Sequence, residues 1–236
     1  IVISPALLFF VTFYFINKEF NFLRTIKFRY FDFRVLKNLS SYSLMALVSS
    51  VLGPIVYLAI RKNVIQIVGL EQAGYWETIV RISSYYMMFV TTILSVYFLP
   101  KLAVAQNNQE TKKIFWSFYK HILPVFAVAL IVIYFSRFFI IKLLFTDEFM
   151  PVTALFFWQL IGDVFRAASW ILGFQFFAKK MTKAFIISEI ASLAVLYLSS
   201  RCLVVLFGIH GVVMAQALDN FIYLLVLCVY FRRSLF

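Results

Sequence analysis

PVTALFFWQLIGDVFRAASWILGFQFFAKK, residues 151–180, carries an apolar span over 152–178, and near the middle of that span stand Asp163 and Arg166. At about 1.5 Å per residue, roughly 20 apolar residues cross the hydrocarbon core of a bilayer. An Asp or Arg at the centre of such a helix costs roughly 2.5–3.5 kcal/mol on insertion scales, so neither belongs against lipid. Their i,i+3 spacing places acid and base on neighbouring turns of one face. Extended along the helix, that face reads Gln159, Asp163, Arg166, Trp170 and Gly173. A stripe of this kind looks into protein or a wet cavity. The plainer alternative is an ion pair that neutralises itself and locks this helix to a neighbour.

The composition agrees with a polytopic membrane protein. Hydrophobic residues are 64% of the 236 and charged residues 14%, outside ordinary soluble usage. The 30 Phe and 13 Tyr suit lipid-facing surfaces and interface belts. A net charge of +12 raises nucleic acid as a partner, but the basic residues sit in short segments between apolar spans. The alternating aromatic and basic residues of 17–38 suit an interfacial segment on anionic membrane lipids. A nucleic-acid platform would need a folded soluble surface that this chain lacks. Cys202 and Cys228 fall inside apolar spans, which argues against a disulfide framework. Neither a Gly-rich phosphate loop nor a metal-ligand cluster occurs, so no cofactor or metal is expected.

The pattern predicts an all-α transmembrane bundle of six complete spans and one truncated one. Residues 1–16 read as a truncated helix, 17–38 as the basic aromatic linker, and 39–236 as the six-helix bundle, with spans near 39–60, 75–99, 116–136, 152–178, 184–207 and 211–231. The chain opens on Ile1 inside an apolar run, an opening that fits the C-terminal part of a longer protein. Pro54 and Pro124 lie inside spans and predict kinks or local unwinding. The outer segment 137–151 reads as a short amphipathic or re-entrant piece. Every second connection is basic. Segments 17–38, 101–120, 179–183 and 232–233 are the rich ones, whereas the alternate side has only Arg61, Lys62, Arg137, Lys142 and Arg201. By the positive-inside rule the rich side, with the C-terminus, is cytoplasmic.

Polar residues form stripes on other spans as well. One face of 75–99 reads Glu77, Arg81, Ser84, Tyr85, Met88, Thr92 and Ser95, with Glu77 and Arg81 an i,i+4 pair. In 211–231 Gln216, Asp219, Asn220 and Tyr223 share a face, and in 184–207 Ser188, Glu189, Ser192 and Ser199 do. The span 39–60 adds Ser43, Ser50, Pro54 and Tyr57 and ends at Arg61. Helix packing explains many such Ser and Gln residues, at roughly 0.6 kcal/mol each. Glu189 lies close enough to Lys183 to pair with it. Asp219 has no base within one turn, so it needs a partner on another helix or a proton. His121 and His210 stand at span ends. Together the stripes point to a polar interior and to passage of something hydrophilic.

Three stretches carry a family resemblance: LSSYSLMALVSSVLGPIVYLAIRK (39–62), SVYFLPKL (95–102) and FFWQLIGDVFRAASWILGFQFFAK (156–179). They resemble the Wzx-type oligosaccharide-lipid flippases of the superfamily that also holds the multidrug/toxin exporters, nearest to those of the enterobacterial common antigen and O-antigen units. The resemblance implies twelve helices in two halves, this chain being the C-terminal half from the end of helix 6. It implies a transporter, not an enzyme, that moves an undecaprenyl-diphosphate-linked oligosaccharide between leaflets of the bacterial inner membrane for lipopolysaccharide or related surface polysaccharide. Polysaccharide polymerase and chain-length proteins would be its partners. Arg81 and Arg166 would attract the diphosphate, since guanidinium pairs bidentately with phosphate oxygens. Trp76, Tyr85 and Trp170 would offer faces to sugar rings, and Gln159 hydrogen bonds. Asp163, Asp219, Glu77 and Glu189 would serve coupling or gating. Two other classes remain: a small-molecule exporter of the multidrug type, and a membrane-embedded transferase or polymerase acting on lipid-linked sugars.

Overall fold

The computed structural model describes Thr12, Phe15 and residues 33–235. The readings of 1–16 and 17–38 therefore fall almost wholly outside the described residues. Two units are distinguished, Ile1–Ser40 and Ser41–Phe236, and the bundle described belongs to the second. Among the described residues the chain is helical, without strands: α1 (Phe33–Val68), α2 (Leu70–Val104), α3 (Asn108–Leu144), α4 (Phe156–Ala178), α5 (Thr182–Phe207), α6 (Ile209–Tyr230) and a terminal turn, α7 (Arg232–Leu235). The first six, α1 from Leu39, are long and apolar enough to span a membrane.

The spans keep the expected order, but the first three are much longer. Helix α1 runs through Pro54 without interruption and on to Val68, so the break anticipated at this proline does not occur in the backbone pattern. A single residue, Gly69 at φ +94, joins it to α2, a backbone conformation that side-chain-bearing residues rarely adopt. Segment 137–151 is not re-entrant. Its first part continues α3 to Leu144, and a 3₁₀ turn over Asp147–Ala154 delays the start of α4 to Phe156.

Pro124 does perturb its helix. Residues Phe118–Ile122 form a π-turn in which the Leu123 N–H bonds the Phe118 carbonyl five residues back. Pro100 repeats the arrangement after Leu94–Phe98, where the Leu99 N–H bonds Leu94. A proline offers no N–H to the carbonyl four residues before it, and widening the preceding turn accommodates the ring.

Connections alternate between the two ends of the bundle. At one end Lys179 Nζ donates to the Ala105 carbonyl, Trp116 Nε1 to the Leu235 carbonyl (3.0 Å) and Ser234 Oγ to Asn108 Oδ1 (2.9 Å). At the other, Tyr75 meets Phe149 edge-on with ring centroids 6.0 Å apart. The lysines flanking 105–107 and 179–181 and the arginines of α7 thus gather at a common end, as the charge alternation requires.

Helix α4 is the centre. Over half of its span is buried, more than in any other. Two apolar cores lie along it. One includes Val64, Trp76, Ile79, Phe156, Leu160 and Val213, and the other Met87, Phe98, Phe118, Ile171, Phe176 and Leu227. Between them, buried Ser83, Gln159, Asp163, Gln216 and Asp219 form a polar layer. Close approach of α4 and α6 at this level depends on Gly162, where an added Cβ would lie 3.0 Å from Ala217 Cα and 3.2 Å from its Cβ. Asn220 Nδ2 donates to the Gly162 carbonyl across the same contact (3.1 Å). A Gly162→Leu variant should force these helices apart and cost about 1–3 kcal/mol, read as a lowered unfolding midpoint in detergent.

Candidate functional site

The sequence of α4 places Asp163 one turn after Gln159 and just under a turn before Arg166. The structure makes Asp163 fully buried, at 0% exposure, and surrounds it with donors from two helices. Ser83 Oγ of α2 donates to its Oδ2 at 2.7 Å and the Tyr86 hydroxyl, also of α2, at 2.5 Å. Gln159 Nε2 reaches both oxygens at 3.2–3.3 Å. Arg166 NH1 is the most distant partner, 3.5 Å from Oδ1. The carboxylate is therefore held chiefly by α2. The anticipated ion pair exists, but at a length where it contributes little.

Arg166 consequently keeps most of its five donors. Its side chain is 27% exposed and its guanidinium lies 5.0 Å from the centre of the Trp170 ring, within cation–π range. Arg81 on α2 is exposed and, among the described residues, has no ion-pair or hydrogen-bond partner. The i,i+4 pair expected between Glu77 and Arg81 is not formed. Glu77 binds Arg61 of α1 instead, because the neighbouring helix brings a guanidinium that the linear spacing does not display.

Two cavities accompany these groups. The first, about 420 Å³, lies between α1 and α2, with Pro54, Tyr57, Arg61, Trp76, Glu77, Arg81 and Ser84 among its walls. The second, about 260 Å³, is lined by residues of α1, α4, α5 and α6, among them Ser49, Trp170, Glu189, Ser192, Asn220 and Tyr223. Asp219 adjoins it, accepting from Ser192 Oγ at 3.0–3.1 Å, so its missing partner comes from α5. Glu189 forms no ion pair with Lys183 among the described residues.

The sequence-predicted residues thus divide. Gln159, Asp163, Arg166 and Trp170 share one face of α4, and Trp170 opens into the second cavity together with Glu189. Glu77, Arg81 and Trp76 meet at the first cavity. Tyr85 is 65% exposed, an open ring, whereas Trp76 is 2% exposed and has one face covered by Tyr57, with centroids 5.4 Å apart and planes within 10°. Trp76 is therefore not the open stacking platform expected of it. The donors that sequence reasoning missed are Ser83 and Tyr86, one residue away from the Ser84 and Tyr85 chosen for the stripe. The run SSYY puts a Ser and a Tyr on each of two faces, and no signal within α2 says which face turns inward.

Comparison with known proteins adds a relationship. Over 191 residues, 80% of this chain, the sequence is 30% identical to the lipid III flippase of Escherichia coli (strain K12), and equally to that of Shigella flexneri. The chain is a homologue of lipid III flippases. It spans 46%, about half, of the length of these curated relatives. No family model matches it, and no solved structure does. The kinship agrees with the oligosaccharide-lipid flippase resemblance read from the three sequence stretches.

The unequal bonds to Asp163 lead to a ranking. Tyr86→Phe should lower the unfolding free energy in detergent by about 1.5–3 kcal/mol, the worth of a hydrogen bond to a charged group, while Arg166→Gln should cost below about 1 kcal/mol. Chemical denaturation of the two variants checks the order, and its reversal would mean that the α4 pair is structural after all.

Proposed function

We propose that this chain forms part of a transporter that moves an undecaprenyl-diphosphate-linked oligosaccharide, an O-antigen or common-antigen repeat unit, from the inner to the outer leaflet of the bacterial inner membrane by alternating access. The observation that supports it most is the similarity to lipid III flippases, in a chain with two span-borne arginines whose donors are largely unspent. Arg81 and Arg166 bind the diphosphate. Tyr85 and Trp170 offer ring faces to sugars, and Gln159 backs the site through Asp163. The isoprenoid tail stays in lipid while the head group crosses. The basic end of the bundle, with the C-terminus, lies in the cytoplasm by charge bias. The chain is the C-terminal half of a twelve-helix protein, and polymerase and chain-length proteins receive its product.

Coupling falls to Asp219, with Glu189 in the adjacent cavity. Asp163 accepts from four side chains and acts as a fixed structural acceptor. Asp219 accepts from one hydroxyl and borders a cavity, so its protonation can differ between access states. The small-molecule exporter reading is weaker here, because guanidinium groups with unspent donors favour anions.

Flipping of a fluorescent undecaprenyl-diphosphate oligosaccharide by the full-length protein in vesicles tests the substrate site. Arg81→Ala and Arg166→Ala should each reduce it about 10–100-fold, the equivalent of about 1.5–3 kcal/mol for a charge-assisted contact. Unchanged flipping in both would defeat the diphosphate role. Asp219→Asn should blunt the response of flipping to an imposed pH gradient while leaving binding of the lipid-linked sugar near wild type, measured in the same vesicles with and without the gradient. An intact gradient response would assign Asp219 to helix packing alone.

A further inference from the structure

A residue lining the cavity between α1 and α2 carries a donor that the fold leaves unused. Trp76 forms part of its wall, is 2% exposed, and its indole N–H meets no acceptor among the described residues. A buried N–H without a partner destabilises the state that holds it, so such groups in native proteins call for an explanation. Stacking on Tyr57 occupies the ring face but gives the N–H nothing.

The other polar groups of the cavity show what kind of partner is wanted. Glu77 is committed to Arg61. The Ser84 hydroxyl donates to the Val80 carbonyl of its own helix at 2.9 Å. Among the polar groups of the wall, the Arg81 guanidinium and the Trp76 N–H have no hydrogen-bond or ion-pair partner among the described residues. Both are donors only, since neither group has a lone pair to offer at any ordinary pH. A ligand held here must therefore bring acceptors, and beside an arginine those are best carried by an oxyanion.

We infer that the α1–α2 cavity is an oxyanion subsite in which the Trp76 indole N–H supplies a neutral hydrogen bond beside the charge of Arg81, with a phosphoryl group of the lipid-linked substrate as its ligand. The inference rests on the flippase reading for the identity of the substrate, but the donor set stands independently of it. Trp76 then acts through its edge, and Tyr57 holds the ring in register by covering its face. An N–H has a fixed direction where a guanidinium adapts, so Trp76 fixes the orientation of the phosphoryl oxygens that Arg81 attracts.

Nuclear magnetic resonance of the full-length protein in nanodiscs, with ¹⁵N at the tryptophan indoles, reads this contact directly. The Trp76 resonance is the one missing from Trp76→Phe, which keeps an aromatic ring against Tyr57. Titration with inorganic pyrophosphate should move that resonance saturably, and Arg81→Ala should weaken the apparent affinity about tenfold or more. N-acetylglucosamine at equal concentration should not move it. Saturable pyrophosphate binding by calorimetry with the Trp76 resonance unmoved would overturn the inference, as would an equal response to the neutral sugar. In flipping assays Trp76→Phe should raise KM for the lipid-linked oligosaccharide about tenfold. If the wild type flips this substrate and Trp76→Phe does so with unchanged KM, the subsite is refuted and the flippase reading survives. If the wild type flips nothing yet the resonance responds to pyrophosphate, the subsite survives and the substrate assignment fails.

Discussion

Lipid cannot hydrate a carboxylate, so Asp163 has to be satisfied by protein, and the packing of the bundle answers to that requirement. A buried charge deprived of its partners costs about 3–5 kcal/mol. Here the donors Ser83 and Tyr86 bring α2 against α4 at the level where the two apolar cores meet. The same level is where Gly162 admits Ala217 and where Asn220 reaches the Gly162 carbonyl, so α6 closes on α4 from another side. Tyr119 of α3 adds a hydroxyl bond to the Ala168 carbonyl at 2.8 Å. Three helices are thus tethered to α4 by directed polar contacts within two turns of one another. In an apolar medium, where burial of a methyl group distinguishes protein from lipid only weakly, these contacts give the bundle its register.

The attachment of α1 is of a different kind. Its ion pair with α2, Arg61 to Glu77, has side chains 46% and 39% exposed, and pairs so accessible contribute about 1 kcal/mol or less. The Tyr57–Trp76 stack adds about 0.5–1.5 kcal/mol. Neither approaches the energy of separating α2 from α4 around Asp163. What holds α1 is chiefly apolar burial, with Met45, Ile60 and Val64 fully covered in the two cores.

Legibility in the sequence followed the same division. Helix number, order and the alternation of basic ends were readable because hydropathy and charge are properties of each segment taken alone. The stripe Gln159–Asp163–Arg166–Trp170 was readable for the same reason. Partners across helices were not. Spacing suggested Glu77 with Arg81 and Glu189 with Lys183, yet Glu77 bonds Arg61 of another helix and Glu189 faces a cavity. Asp219, for which its own helix offered nothing, did find Ser192 on α5. The one-residue error in SSYY is instructive, because either face of α2 could have supplied a hydroxyl, and only the position of Asp163 on α4 decides which. Proline behaved unevenly too. Pro100 and Pro124 are each preceded by a π-turn, while Pro54 is absorbed in an unbroken helix.

The polar node and the proposed transport site are linked through chain register. Arg81 and Arg166 both stand inside spans, α2 and α4. Arg81 precedes Ser83 by two residues on α2, and Arg166 follows Asp163 by three on α4. The Ser83–Asp163 bond therefore fixes the height of one guanidinium relative to the other, and the Tyr86 bond resists rotation of α2 about its axis. Neither arginine is consumed in doing so, since the carboxylate is satisfied by neutral hydroxyls and an amide. Had Arg166 been its main partner, holding Asp163 would have spent guanidinium N–H groups. Satisfying a buried acid with hydroxyls and an amide leaves those donors available in the spans, and unspent guanidinium donors are what an anionic head group held away from water requires.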